Sequence, residues 1–63
     1  MARLMMVKLR QGKHLMLNPA HVVGIEPHWE NREYTTIKLS TQEILVSVEE
    51  PNVIKQKWEA ANG

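Results

Sequence analysis

Between Tyr34 and Val48 apolar and polar residues alternate: Ile37 and Leu39 are set against Lys38 and Ser40, and Ile44, Val46 and Val48 recur at every second position, with Ser47 between the last two. Period two is the mark of a strand with one covered face, so this stretch predicts a β-hairpin with a polar break at residues 40–43. The break holds no glycine, which favours a longer loop built on a type I turn over a primed two-residue turn. The same alternation appears earlier. Val7 and Leu9 are set against Lys8 and Arg10 in a first strand over residues 4–10, Gln11, Gly12 and Lys13 form a turn with glycine supplying positive φ, and residues 14–17 return with Leu15 and Leu17 facing the core of Val7 and Leu9.

Asn18 and Pro19 then stop the strand, because proline has no ladder donor and asparagine bonds readily to the backbone two residues on, so residues 18–21 read as a turn or one helical turn. Extension resumes over residues 22–29, with Val23 and Ile25 on one side, Val22, Gly24 and Glu26 on the other, and Pro27 confining the far end to a sheet edge or a bend. Glu30, Asn31, Arg32 and Glu33 make a charged loop. After Val48 the period changes. Glu49, Glu50 and Pro51 are a helix start, with acidic groups near the positive end of the dipole and proline at the first helical position. Val53, Ile54, Lys57, Trp58 and Ala61 share one face of the helix that follows, and Gly63 falls past its last turn.

The expected architecture is therefore α+β, a mostly antiparallel sheet of about five strands with one C-terminal helix packed on one face. No internal repeat or linker is visible, and residues 1–63 read as one small domain. A chain this short buries only about 60% of the surface its unfolded form exposes, which makes oligomerisation a common source of added stability. With no cysteine there are neither disulfides nor thiolate zinc sites. Formal net charge is +1, which provides no overall field toward nucleic acid or anionic membrane. The apolar run at residues 4–7 is too short for a signal-peptide core or a membrane span, so the expected location is cytoplasmic, with no membrane partner.

Candidate chemistry is sparse. No pair of acid–base residues sits in a motif with a nucleophile, and a chain of this size has little room to enclose a substrate, so no enzyme, catalytic residue or cofactor is expected. His14, His21 and His28 are seven apart, but in strands and turns that spacing does not place them on one face, and no metal site is assigned. Trp29, Tyr34 and Trp58 are the only aromatics; Trp58 is expected to cap the core and Trp29 to sit at an edge or interface. Met1, Met5, Met6 and Met16 cluster on or beside the first hairpin. With Val7 and Leu9 inward, Met6 and Met16 fall on the other side, and with Leu4, Val22 and Leu45 they suggest a second apolar face suited to a partner.

From Val7 onward the motifs VKL, QGK, LMLNP, HVVGIEP, TTIKLSTQEILV and VEEPNVIKQ resemble the small FlbD/SwrD family associated with flagellar and swarming motility. Residues 18–58 are also similar to the C-terminal part of LytTR-type DNA-binding domains. Thr41 and Gln42 stand where those families commonly have Asn-Gly or Asp-Gly, and the basic residues with which a LytTR domain holds phosphates are not recognisable. The resemblance implies a β-rich module with a terminal helix, acting by contact with another macromolecule.

The expected role is a small non-enzymatic interaction or regulatory protein, bacterial or phage-encoded, which binds a partner protein and self-associates into a homo-oligomer. Met6, Met16, Trp29, Arg32 and Tyr34 are the expected contact residues. The alternative is a nucleic-acid-binding regulator using Lys8, Arg10, Lys13, Arg32 and Lys38.

Overall fold

The computed structural model describes residues 3–62; Met1 and Gly63, named above, lie outside the described residues. The elements run β1 (Met5–Lys8), β2 (His14–Leu17), a 3-10 turn (Pro19–His21), β3 (Val22–Pro27), β4 (Thr35–Leu39), β5 (Ile44–Ser47) and α1 (Pro51–Asn62). The α+β class and the antiparallel pairing are as expected. The single five-stranded sheet is not. β1 and β2 form one sheet, β3, β4 and β5 a second in that order, and the two meet at one bridge between Leu9 and Ser47.

The reason is local to the seam. Beside the bridge, Arg10 N–H donates to the Val46 carbonyl at 3.3 Å and Val48 N–H donates to the Lys8 carbonyl at 3.0 Å. Pairing goes no further because Leu9 enters a turn on one side and the chain leaves β5 for the helix on the other. Side chains take over from the ladder. The Ser47 hydroxyl donates to the Lys8 carbonyl at 2.6 Å, and the Glu49 carboxylate accepts from Lys8 N–H at 3.0 Å. Lys57, reaching down from α1, donates to that carboxylate and to the Met6 carbonyl at 2.9 Å, while the Thr35 hydroxyl donates to the Glu49 carbonyl at 2.6 Å. Burial alone pushes the Glu49 carboxyl up. The hydrogen bonds from Lys57 and from Lys8 N–H, with the charge of Lys57 and a smaller contribution from His14, outweigh burial and hold it below the usual carboxylate value.

The two hairpins prove to be built alike. In the first, Gly12 N–H donates to the Leu9 carbonyl and Leu9 N–H to the Lys13 carbonyl; in the second, Gln42 N–H donates to the Leu39 carbonyl and Leu39 N–H to the Glu43 carbonyl. This is a type I turn followed by a left-handed residue, with Gly12 at φ 79° and Gln42 at φ 72°. The pairing matches as well: Lys8 faces His14 as Lys38 faces Ile44, and Val7 faces Leu15 as Ile37 faces Leu45.

That register corrects two expectations. Leu45 and Ser47 point to the core side, while Ile44 and Val46 face outward with Thr36 and Lys38. In β3 the pairing jumps from Val22–Leu39 to Gly24–Lys38, so Val23 is bulged out and exposed, and Val22 and Ile25 both pack on the core. Val22 and Leu45 therefore belong to the core side rather than to an outer apolar face.

The core consists of Met5, Val7, Leu17, Ile37, Ile54 and Ala61, with Leu9, Ile25, Leu39 and Trp58 packed around it. The helix is its roof, and Ile54 is fully buried. Asn18 caps the 3-10 turn by accepting from Ala20 N–H at 3.0 Å, and the Trp58 indole N–H donates to the Pro19 carbonyl at 3.0 Å, pinning the helix to that turn.

Gln42→Gly is expected to stabilise the chain by about 0.5–1 kcal/mol, because only glycine adopts positive φ without steric cost, and Gly12→Ala to destabilise it by about 1 kcal/mol or more; urea denaturation midpoints at constant slope measure both. A carboxyl held low in the folded chain contributes stability that is fully present above its unfolded pKa and is lost as pH falls through the lower folded one. Wild-type stability should accordingly drop below the ordinary carboxylate range near pH 4, whereas Glu49→Gln, costing about 1 kcal/mol at neutral pH, should lose less on acidification. Urea melts of both proteins across that range show the difference.

Candidate interaction surface

The connection from β3 to β4 begins where Pro27 ends the strand, and it closes on itself through hydrogen bonds. His28 N–H donates to the Tyr34 carbonyl at 3.0 Å and Tyr34 N–H to the Asn31 carbonyl at 2.9 Å. Glu33 N–H donates to Asn31 Oδ1 at 3.0 Å in an Asx turn, and Glu30 N–H donates to His28 Nδ1 at 3.1 Å. The His28 ring is buried, and the Trp29 ring stacks against it with centroids 5.7 Å apart and planes 22° apart. Trp29 is nonetheless 84% exposed. These bonds set the backbone course of the loop, from which the indole projects into solvent.

Trp29 stands beside the outer face of the three-stranded sheet. With Pro27, His28, Glu26, Thr36, Lys38, Ile44 and Val46 it lines an open hollow of about 420 Å³. Ile44 is 61% exposed there, and Lys38 reaches across the strands to Glu26 at 2.8 Å. A half-exposed ion pair of this kind contributes little stability, but it leaves the hollow with an apolar floor and a nearly neutral centre.

The other expected contact residues are dispersed. Met6 and Met16 are direct cross-strand partners on the outside of the first hairpin, 48% and 53% exposed. Alternate residues share a face, so this pair continues into Leu4 on one side and the Lys8–His14 pair on the other. Arg32 lines a different groove, with Pro27, Glu33, Glu50, Pro51 and Asn52 at the helix start. Tyr34 is half-buried beneath Arg10, whose guanidinium carbon lies 6.0 Å from the ring centre, across the seam between the sheets. The five residues thus divide between a methionine face, a tryptophan hollow, an acidic groove and the seam.

Ile44 and Val46 were missed as surface residues because IxVxV read inward from its own alternation. The signal that finds them is the repeat of Lys-Leu and a later Leu at a spacing of thirty, Lys8, Leu9 and Leu15 against Lys38, Leu39 and Leu45, which fixes the second register from the first. Charge is also segregated. Residues 1–25 carry Arg3, Lys8, Arg10 and Lys13 and no carboxylate; all seven acids fall from Glu26 onward.

His14 and His21 are exposed on separate elements and His28 is buried in the loop, and among the described residues no group of three His, Asp or Glu side chains is placed to hold a metal. No helix among those residues is long and apolar enough to cross a membrane. Compared with protein-family models, curated proteins and solved structures, the chain matches none.

An indole left 84% exposed contributes little to folding. Trp29→Ala is expected to change unfolding free energy by less than about 0.5 kcal/mol, whereas Trp58→Phe, which removes the bond to the Pro19 carbonyl, should cost about 1–2 kcal/mol. Equilibrium urea unfolding followed by circular dichroism separates the two.

Proposed function

We propose that this chain is a non-enzymatic protein-binding module that self-associates, with the tryptophan hollow as one contact surface and the methionine face as another. The observation that carries this reading is the 84% exposure of Trp29 on a loop closed by its own hydrogen bonds, next to an exposed Ile44. Tryptophan is the residue type most enriched at binding hot spots, and a preorganised indole loses little entropy on docking. Met6 and Met16 add an adaptable apolar surface. A FlbD/SwrD-like accessory role agrees with such a module, since it works by contact and not by chemistry.

One observation favours the alternative, nucleic-acid binding: the first hairpin exposes Arg3, Lys8, Arg10 and Lys13 with no acid among residues 1–25. Opposing it, Lys38 is engaged by Glu26, and Glu30 and Glu33 flank Arg32.

Light scattering over a concentration series is expected to show mass rising above that of one chain. A fluorescent DNA or RNA oligonucleotide at low salt is expected to remain unbound. A monomer at every concentration, together with oligonucleotide binding that weakens steeply with salt, would replace the first reading with the second.

A further inference from the structure

The two exposed apolar patches differ in charge, and that difference says how copies meet. On the first hairpin, Met6 and Met16 are bordered on the same face by Lys8 and His14, with Arg10 and Lys13 exposed at the turn. Glu49, which accepts from Lys8 N–H on this hairpin, is already engaged by Lys57. In the Trp29 and Ile44 hollow the two lining ions, Glu26 and Lys38, pair with each other, and the exposed carboxylates of Glu30 and Glu43 stand next in sequence to Trp29 and Ile44 at its edge.

We propose that the chain assembles head to tail, the methionine face of the first hairpin in one copy seating on the acidic, Trp29-bearing side of the next. The proposal rests on the self-association reading above and adds its geometry. A two-fold contact through the hairpin would bring the basic set Lys8, Arg10 and Lys13 against its own copy, and a two-fold contact through the tryptophan hollow would do the same with Glu30 and Glu43. The heterologous contact is the arrangement that sets basic rim against acidic rim around an apolar centre. Flexible thioethers opposite a fixed indole suit one another, because methionine adapts to the shape it meets and sulfur contacts aromatic edges favourably. Area permits it too. The chain exposes 4613 Å², enough for two separate patches of the roughly 800 Å² per partner that a specific interface uses. A contact of this type closes into a ring or runs on as a filament, according to the rotation between successive copies.

The test uses Met16→Glu and Trp29→Ser, each blocking one patch, with thermal unfolding showing that both still fold. In sedimentation velocity the wild type is expected to form species beyond the dimer, more weakly as salt rises, because exposed charges are screened over about 8–10 Å. Each variant alone should be monomeric, its self-association weakened by about thirtyfold or more, the effect of losing a hot-spot side chain. An equimolar mixture should give a one-to-one dimer, since each variant keeps the surface the other lacks. A variant that still dimerises alone would show a two-fold contact through its intact patch, and a mixture that stays monomeric would show that both patches belong to one two-fold surface. Either result overturns the head-to-tail geometry and leaves self-association standing. A monomeric wild type overturns both.

Discussion

The Glu49 carboxylate is where the two sheets and the helix are joined. It accepts from the backbone of β1 and from Lys57 on α1, while its own backbone is held by Ser47 and Thr35. A half-buried carboxylate is costly unless donors meet it, and here the Lys8 N–H and the Lys57 ammonium do. The arrangement replaces what a longer strand ladder would otherwise supply. With one bridge at Leu9 and Ser47, the first hairpin has little backbone pairing to the remainder of the chain, so its docking depends on a charged side chain and on the apolar contacts of Met5, Val7 and Leu17 under the helix. A ladder is indifferent to pH. This junction is not.

Much of this fold is legible from residue spacing, because hairpins and a terminal helix are decided by neighbours close in sequence. Gly12 with Lys13, Asn18 with Pro19, and Glu50 with Pro51 mark turns and a helix start whose chemistry is local, and the structure has each where the pattern puts it. What was not legible depends on partners distant in sequence. That the two sheets are held together by Ser47 and Glu49 bonding to the Lys8 backbone some forty residues away is not announced by either segment alone. The bulge at Val23 reverses the parity of β3 after Val22, and alternation cannot foresee an inserted residue. The outward placement of Ile44 and Val46 is a different failure. In ILVSV an apolar residue falls on both faces, so period alone is ambiguous and only the turn geometry decides.

The candidate surface was legible in its residue types more than in its layout. Exposed methionines follow from the parity of β1, and an exposed tryptophan follows from a charged loop after Pro27. That Trp29, Arg32 and Met6 line three different hollows needs the three-dimensional course of the chain. Trp29 is also held out by something a pattern does not contain, the burial of its neighbour His28 and the bond from Glu30 N–H to that ring.

The pair of matching hairpins gives the molecule its polarity. Turn and register are the same in both, so equivalent outward positions carry the Lys8–His14 pair in one and the Lys38–Ile44 pair in the other. The first hairpin has no acid in its sequence neighbourhood, whereas the second lies among Glu26, Glu30, Glu33 and Glu43. Two ribbons of one geometry therefore stand in unlike surroundings, the first with methionine outward among basic residues, the second beside the Trp29 loop and its neighbouring carboxylates. Had the charges been mixed evenly, neither patch would discriminate between itself and its counterpart. Segregated as they are, they give the proposed head-to-tail contact its complementarity, and that segregation follows from where the carboxylates begin in the chain.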